Sequence, residues 1–296
     1  MKAADDRLDR DLLRRSLRQA NWVCVLSPVT LLELLEDLVS ARNERAFQAR
    51  QKPLHIAWQL GGGRVQNYLK FPGNFARESA FRVSEPFGRF TNFDYHQWHK
   101  VAVLARSRRQ LLSGGVTTTT TVTRSKGLSR DVIKNRLDEG RQVYVDNISK
   151  YVIDLKPDYW EARDRGMRNM LTPSEQRAFD ASLNGPAVIQ GFFDGLRRNL
   201  SLNTTPTSKL PSPIEVASSL NAVLTFRKDV LRRTLTTEYK FENDASSYYD
   251  MQQLYYLSDP NLVFVTDDRR LRLAVEGSTQ ASRIMNSFEL LRAGST

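Results

Sequence analysis

NLVFVTDDRRLRLAVEG, residues 261–277, is the stretch on which the reading of this chain turns. An apolar run ends in a threonine, two adjacent aspartates follow, and arginines then sit on a leucine-bearing helical pattern. The run predicts a strand, and the stretch after it predicts a helix stopped near Gly277. Two carboxylates at such a junction have two uses. One is to cap the helix that follows. The other is to hold a metal ion at the carboxyl end of a buried strand, where open α/β sheets place their sites. One aspartate is expected to cap, and the other, Asp268, to bind metal.

Working outward, SSYYDMQQLYYLSD (246–259) reads as a helix and SRIMNSFELL (282–291) as a short strand entering a final helix capped by Asn286 or Ser287. Near the other end, WVCVL (22–26) reads as a short, β-branched, buried strand. Ser27 and Pro28 then mark a helix start, with Leu31, Leu34, Leu35 and Leu38 expected to face the core. Residues 5–19 read as an amphipathic helix with Leu8, Leu12 and Leu17 on one side. Strand–helix alternation at both ends predicts an α/β fold with a parallel sheet flanked by helices. The core would be formed by residues 1–45 and 240–296, and residues 46–239 would be a large, mainly helical insertion or subdomain. Two capping boxes, Thr172 with Glu175 and Ser212 with Glu215, mark helix starts inside it. SLNTTPTSKLPSP (201–213) reads as a long loop and GGVTTTTTVTRSKG (114–127) as a low-complexity loop or exposed hairpin.

Composition narrows the partners. Of 296 residues, 44 are Lys or Arg and 33 are Asp or Glu, a net charge of +11 that favours a polyanion, nucleic acid first. A single cysteine, Cys24, excludes an intrachain disulfide and a cysteine-rich zinc site. The charged opening lacks the apolar core of a signal peptide and no run is long enough to span a bilayer, so a cytoplasmic protein with no membrane partner is expected.

Three acidic residues stand out by position: Glu33 in the helix after residues 22–26, Asp250 inside an apolar and aromatic helix, and Asp268 just past VFVT. Carboxylates gathered at one sheet edge repel each other unless a cation sits between them, and Mg2+ or Mn2+ takes hard oxygen ligands of this kind. Their bland readings are a solvated face for Glu33, a helix-dipole partner for Asp250 and a cap for Asp268. Arg269, Arg270 and Arg272 flank the last of them and are suited to a phosphate backbone. In RVQNYLKFPGNFARESAFR (64–82), Arg64, Lys70, Arg77 and Arg82 alternate with Tyr68, Phe71, Phe75 and Phe81. That pattern fits base stacking, or simply a core with a cationic rim, and the core reading is slightly favoured. His96 and His99, with His55 upstream, lack the further ligand a zinc site needs. LGGGRVQ (60–66) lacks the ending of a P-loop, and no serine sits in a nucleophile elbow.

LSPVTLLELLEDL (26–38) together with NDASSYYDMQQLYYLSDPNLVFVTDDRRL (243–271) resembles the PIN-domain nucleases, metal-dependent enzymes that cut RNA. The resemblance covers roughly residues 20–43 and 243–291. It implies Glu33, Asp250 and Asp268 as ligands of Mg2+ or Mn2+ and as the catalytic set. Thr266 would support through its hydroxyl, with Asp267 beside it and Asn243 as a further polar contact. The implied activity is endonucleolytic cleavage of RNA, single-stranded first, by metal-activated water. The family pattern also opens with a strand carrying an aspartate in a DTN-like run. This chain opens in a charged helix instead, on which Asp5, Asp6, Asp9 and Asp11 cannot stand in, so a start truncated relative to the family is expected. Rival readings are a PIN-like module that binds RNA or protein without cutting, and a toxin with an antitoxin partner or a homodimer. A further rival is a helical interaction protein whose acids are all structural.

Overall fold

Ser27 shows how local chemistry sets the first long element. Its Oγ accepts hydrogen bonds from the backbone N–H groups of Val29 and Thr30, and Pro28 takes the first helical position, so the helix starts there and nowhere earlier. In the computed structural model, which describes residues 10–61, 63–84, 92–113, 130–167, 169–237 and 239–293, this helix is α2, Pro28–Val39. It follows α1, Arg10–Gln19. Next come α3, Glu44–Leu60, α4, Pro72–Ser79, α5, Asn92–Leu104, and α6, Arg108–Leu112. The long α7, Arg130–Leu155, leads to α8, Tyr159–Asp164, α9, Pro173–Ser182, and α10, Pro186–Asn199. The chain continues through α11, Pro213–Ser219, α12, Asn221–Thr236, and α13, Ser247–Leu254. It closes with β1, Phe264–Val265, α14, Arg269–Ala274, β2, Ile284–Met285, and α15, Ser287–Ala293.

The fold is therefore mostly helical with a small parallel sheet, in which Phe264 pairs with Ile284 and Val265 with Met285. The α/β reading holds at that level. The expected strand at 22–26 does not form: only Leu26 bridges, in parallel, to Tyr68. Its N–H bonds Asn67 O and its carbonyl accepts from Leu69 N, while Val23 is 71% exposed. A strand is stabilised by ladders on its flanks, and here a single irregular segment supplies one partner, so the β-branched residues have no sheet to bury against. In α1 the inner face is Leu13 and Ser16 with Leu17 half-buried, whereas the expected Leu12 is exposed and Leu8 lies outside the described residues. Residues 114–127 also lie outside them. Both capping boxes form as expected, on α9 and α11, and Asn286 and Glu289 form a reciprocal one at the start of α15.

Two hydrophobic clusters fill the interior. One joins Val29, Leu32 and Leu35 of α2 to Phe47 and Leu54 of α3, to Trp98 of α5 and to Leu137 of α7. The other joins Ile148 of α7, Phe193 of α10, Phe226 of α12, Leu271 of α14 and Ile284 of β2. Two helices serve both. α7 gives Leu137 to the first and Ile148 to the second, and α13 gives Tyr249 to the first and Leu254 to the second. The two helices approach closely at Gly140, where a Cβ would lie 2.6 Å from the Tyr248 ring and 2.7 Å from the Tyr249 hydroxyl. That hydroxyl donates to Leu137 O at 2.5 Å. Asp250 thus rides on a helix pinned where the two cores meet. Among the described residues no helix is long and apolar enough to cross a membrane.

Candidate functional site

α2 and α13 come together through a pair of polar residues. Thr30 Oγ1 donates to Gln253 Oε1 at 3.0 Å, and Gln253 is buried. Thr30 stands three residues before Glu33 and Gln253 three residues after Asp250, so each shares a helix face with its carboxylate. The hydrogen bond ties those two faces to each other one turn from the acids. Glu33 and Asp250 are both half-buried.

Their electrostatics show the consequence. Burial pushes the Glu33 carboxyl up to about 7, and the negative charge of Asp250 adds to the effect. Burial pushes Asp250 up to about 6, and Asp268 and then Asp244 add to that. Each shift has the same physical origin: a charge taken out of water and placed beside like charges favours its neutral form. The three carboxylates of the sequence reading are therefore within electrostatic reach as a chain, Glu33 to Asp250 to Asp268. They do not form a compact triad. Among the described residues no three His, Cys, Asp or Glu side chains converge closely enough to cage a metal ion.

The two aspartates of TDD divide their work the other way round from the sequence expectation. Asp268 is the cap: its Oδ1 accepts from Arg270 N at 2.7 Å and Leu271 N at 3.1 Å, at the start of α14. Asp267 Oδ1 instead accepts from Ser287 N and Ser287 Oγ, both at 2.9 Å, which ties the end of β1 to the start of α15. The residue directly before the first helical turn is the one whose carboxylate reaches the free N–H groups, and here that residue is Asp268. Thr266 Oγ1 accepts from Asp268 N at 3.1 Å, so its hydroxyl orders the backbone of the cap.

Asn243 is exposed in the turn before α13. Its neighbour Asp244, absent from the sequence reading, is the group that Asp250 feels, and it accepts from the Tyr239 hydroxyl at 2.9 Å. A second missed residue is Arg141 of α7. Its guanidinium holds Glu36 with both nitrogens, at 3.1 and 3.4 Å, and Asp138 at 3.1 Å, and its charge lowers the Glu33 pKa. Its pair with Asp138 is local, at i and i+3 on α7, but its grip on Glu36 depends on α7 meeting α2, which no local pattern in the sequence marks. Arg269 and Arg270 are exposed, whereas Arg272 bonds Glu289 at 3.0 Å. Arg269 and Arg272 line an open cleft of about 300 Å³ together with Leu273, Glu276 and Ile284; none of the three carboxylates lines it.

The stretch 64–82 is core with a cationic rim. Tyr68 and Phe81 are buried, and Phe75 packs edge-on against Tyr256. Arg77 is buried and donates to Leu200 O, and Lys70 pairs with Glu78. Tyr68 and Phe81 are thus taken up by the core and not open to bases. His99 is fully buried, with Nε2 on Leu54 O and Nδ1 on the Tyr68 hydroxyl, both at 2.7 Å. Only Nε2 can donate to a carbonyl, so Nδ1 accepts from Tyr68, and burial lowers the ring's pKa to about 4, in keeping with a neutral imidazole. His96 Nε2 lies 2.8 Å from Gly63 O. Burial also raises the Cys24 thiol pKa, which leaves it unreactive at neutral pH.

Comparison with known proteins adds no relative. No family model matches the chain, no curated protein matches it, and no solved structure matches it.

Two adjoining carboxylates suit a hard divalent cation. Mg2+ is commonly held by only one or two carboxylates, with waters and substrate phosphate completing its shell. Glu33 and Asp250 are carboxylates of that chemistry within electrostatic reach of each other, and a cation beside them would lower both raised pKa values.

Proposed function

We propose that the chain is a Mg2+- or Mn2+-dependent endoribonuclease of PIN-like type, built on Glu33 and Asp250. The observation that carries the reading is a run of like charges: burial and then Asp250 raise Glu33, and burial and then Asp268 raise Asp250, on helices far apart in sequence and with no basic residue forming an ion pair with Glu33 or Asp250 among the described residues. A stable fold gains nothing from burying two acids beside each other. A divalent cation held there would supply an activated water and offset charge on a phosphodiester.

The protein's own groups have distinct tasks. Glu33, raised to about 7 by burial and then by Asp250, would be drawn to its carboxylate form by the cation and would serve as a ligand to it. Asp250 and Asp268 add negative charge that attracts the cation, with Asp268 fixed in place by its cap hydrogen bonds. The exposed Arg269 and Arg270 lie next to Asp268 in sequence and are free to follow the phosphates of a single-stranded RNA. The direct test is cleavage of a labelled single-stranded RNA with Mn2+, comparing the wild type with Asp250→Asn and with chelator. Cleavage lost in both supports a metal nuclease. Cleavage that persists in pure Asp250→Asn protein overturns it.

One observation favours a second reading, a PIN-like module that binds RNA without cutting it. Asp268 spends an oxygen on a helix cap, and the three carboxylates do not converge among the described residues. Tight RNA binding with no Mn2+-dependent cleavage identifies this alternative.

A further inference from the structure

Arg227, in the middle of α12, is a half-buried cation without a counter-charge. Its guanidinium carbon lies 5.1 Å from the centre of the Tyr151 ring on α7 and 5.5 Å from that of Phe192 on α10. Two aromatic rings hold the planar group through its π faces, but rings do not satisfy five N–H donors. Among the described residues no carboxylate pairs with Arg227 and no protein acceptor takes its N–H groups, and none of its nitrogens is a sealed, unpartnered atom. The donors therefore open to solvent.

Acids on α12 and on the helices α9 and α10 have other partners. Asp229 holds Arg233 at 2.7 Å, Asp180 holds Arg232 at 3.2 Å, and Asp194 accepts from Gln190 at 3.0 Å. Lys228, next to Arg227, rests its ammonium on the neutral amide oxygen of Asn184 at 3.1 Å. Burial, and then the charge of Arg232, lower the Lys228 pKa, as expected of cations crowded without an acid between them. Two neighbouring cations on α12 thus lack an acidic partner.

One face of α10 beside Arg227 carries no side chain at two positions. Gly191 and Gly195 stand one turn apart on one face of α10. A Cβ at Gly195 would meet the Tyr151 hydroxyl at 3.7 Å and Arg227 Nη1 at 4.0 Å, which places bare backbone against the guanidinium. At Gly191 a Cβ would meet nothing within 4 Å. A guanidinium held flat, with an open floor at its side, matches the paired oxygens of a phosphate group.

The geometry points to a phosphate-binding site in which Arg227, clamped by Tyr151 and Phe192 and assisted by Lys228, holds one phosphodiester of a single-stranded RNA. The choice of RNA as the source of that phosphate rests on the proposed function; the cations, rings and open helix face stand independently of it. From Arg141, beside Glu33, to Tyr151 is about 15 Å along α7 at the helical rise per residue. A strand held at Arg227 is thus anchored away from the carboxylates and gains affinity there without entering the chemistry.

The test is an anisotropy titration of the full chain with a fluorescein-labelled single-stranded RNA, in chelator, over a series of salt concentrations. Arg227→Ala is expected to weaken binding about 10-fold, as loss of a charged hydrogen-bonding partner does. The slope of log affinity against log salt should become shallower by about 0.7, one single-strand phosphate contact. Arg227→Lys keeps the charge and loses the fork, so the slope should stay near wild type while affinity falls. Lys228→Ala should flatten the slope with a smaller loss of affinity. A circular-dichroism melt establishes that each variant folds. Wild-type affinity and slope in folded Arg227→Ala overturn the site. If that variant does not fold, unchanged binding in both Arg227→Lys and Lys228→Ala overturns it, as does a wild type that binds no RNA at low salt. The same titration with Asp250→Asn separates the two proposals. Binding retained without cleavage leaves this site standing, and cleavage retained with no effect at Arg227 leaves the carboxylate site standing.

Discussion

Glu33 and Glu36 stand one turn apart on α2, yet the protein treats them in opposite ways. Glu36 meets Arg141, which grips it with both guanidinium nitrogens and shares its charge with Asp138. Glu33 has no ion-pair partner among the described residues, and burial, with the charge of Asp250 adding to it, raises its carboxyl to about 7. A helix that needed only to be neutralised would be served by the first arrangement twice. The difference teaches that proximity of acids is not, in this fold, a by-product of a crowded acidic face. A cation was available from α7 and was given to the neighbour.

The comparison breaks most decisively in activity. Asp250→Asn and Glu33→Gln should each lower Mn2+-dependent RNA cleavage by about 100-fold or more, the range of a lost acid–base or ligand group, whereas Glu36→Gln should leave most of it intact. Rate measurements on the three variants decide; equal losses would erase the distinction between the two glutamates. Next in size is the structural support. Arg141→Ala strands two partly buried carboxylates, and a cost of about 1–3 kcal/mol, between that of exposed and fully buried pairs, should appear in urea unfolding. Gly140→Ala should destabilise by a similar amount, about 1–3 kcal/mol, because its Cβ has no room beside Tyr248 and Tyr249.

A pH series sharpens the same contrast. The folded pKa values of Glu33 and Asp250 lie above those of free carboxyls, so the native state binds more protons than the unfolded chain between roughly pH 4 and the folded values near 6 and 7. Stability from this pair is present at the acid side of that window and lost as pH rises through it. Thermal melts from pH 5 to 8 should show wild-type stability falling relative to Glu33→Gln, with added Mn2+ restoring part of the loss at pH 8. A flat difference would mean the two carboxyls ionise as free ones do. The smallest effect belongs to Thr30→Val, which removes the bond to Gln253 and should cost about 1 kcal/mol with a modest loss of cleavage.

What the sequence made legible follows from the range of the forces involved. Ser27, Thr172 with Glu175, and Ser212 with Glu215 were readable because a cap is settled within a few residues. Residues 22–26 misled because a strand is defined by its neighbours, and valines alone do not provide them. TDD offered two adjacent carboxylates with the same local chemistry, and only the position of the first helical turn shows that Asp268 caps it. Glu33 and Asp250 could be picked out by their apolar neighbours, but Arg141, Asp244 and the Thr30–Gln253 bond depend on which helices meet. Tyr68 and Phe81 have the same composition whether they stack on bases or fill a core; burial decides it.

The helix that carries Asp250 belongs to both hydrophobic cores and follows α2 far along the sequence. During synthesis α2 leaves the ribosome before α13, and the face that carries Glu33 is completed only when residues 247–254 have emerged and found it. The proposed chemistry, which needs both carboxylates, would be silent on the nascent chain until then. A chain interrupted anywhere before α13 would carry Glu33 without Asp250, so the proposed two-carboxylate chemistry would wait for α13 to dock against α2.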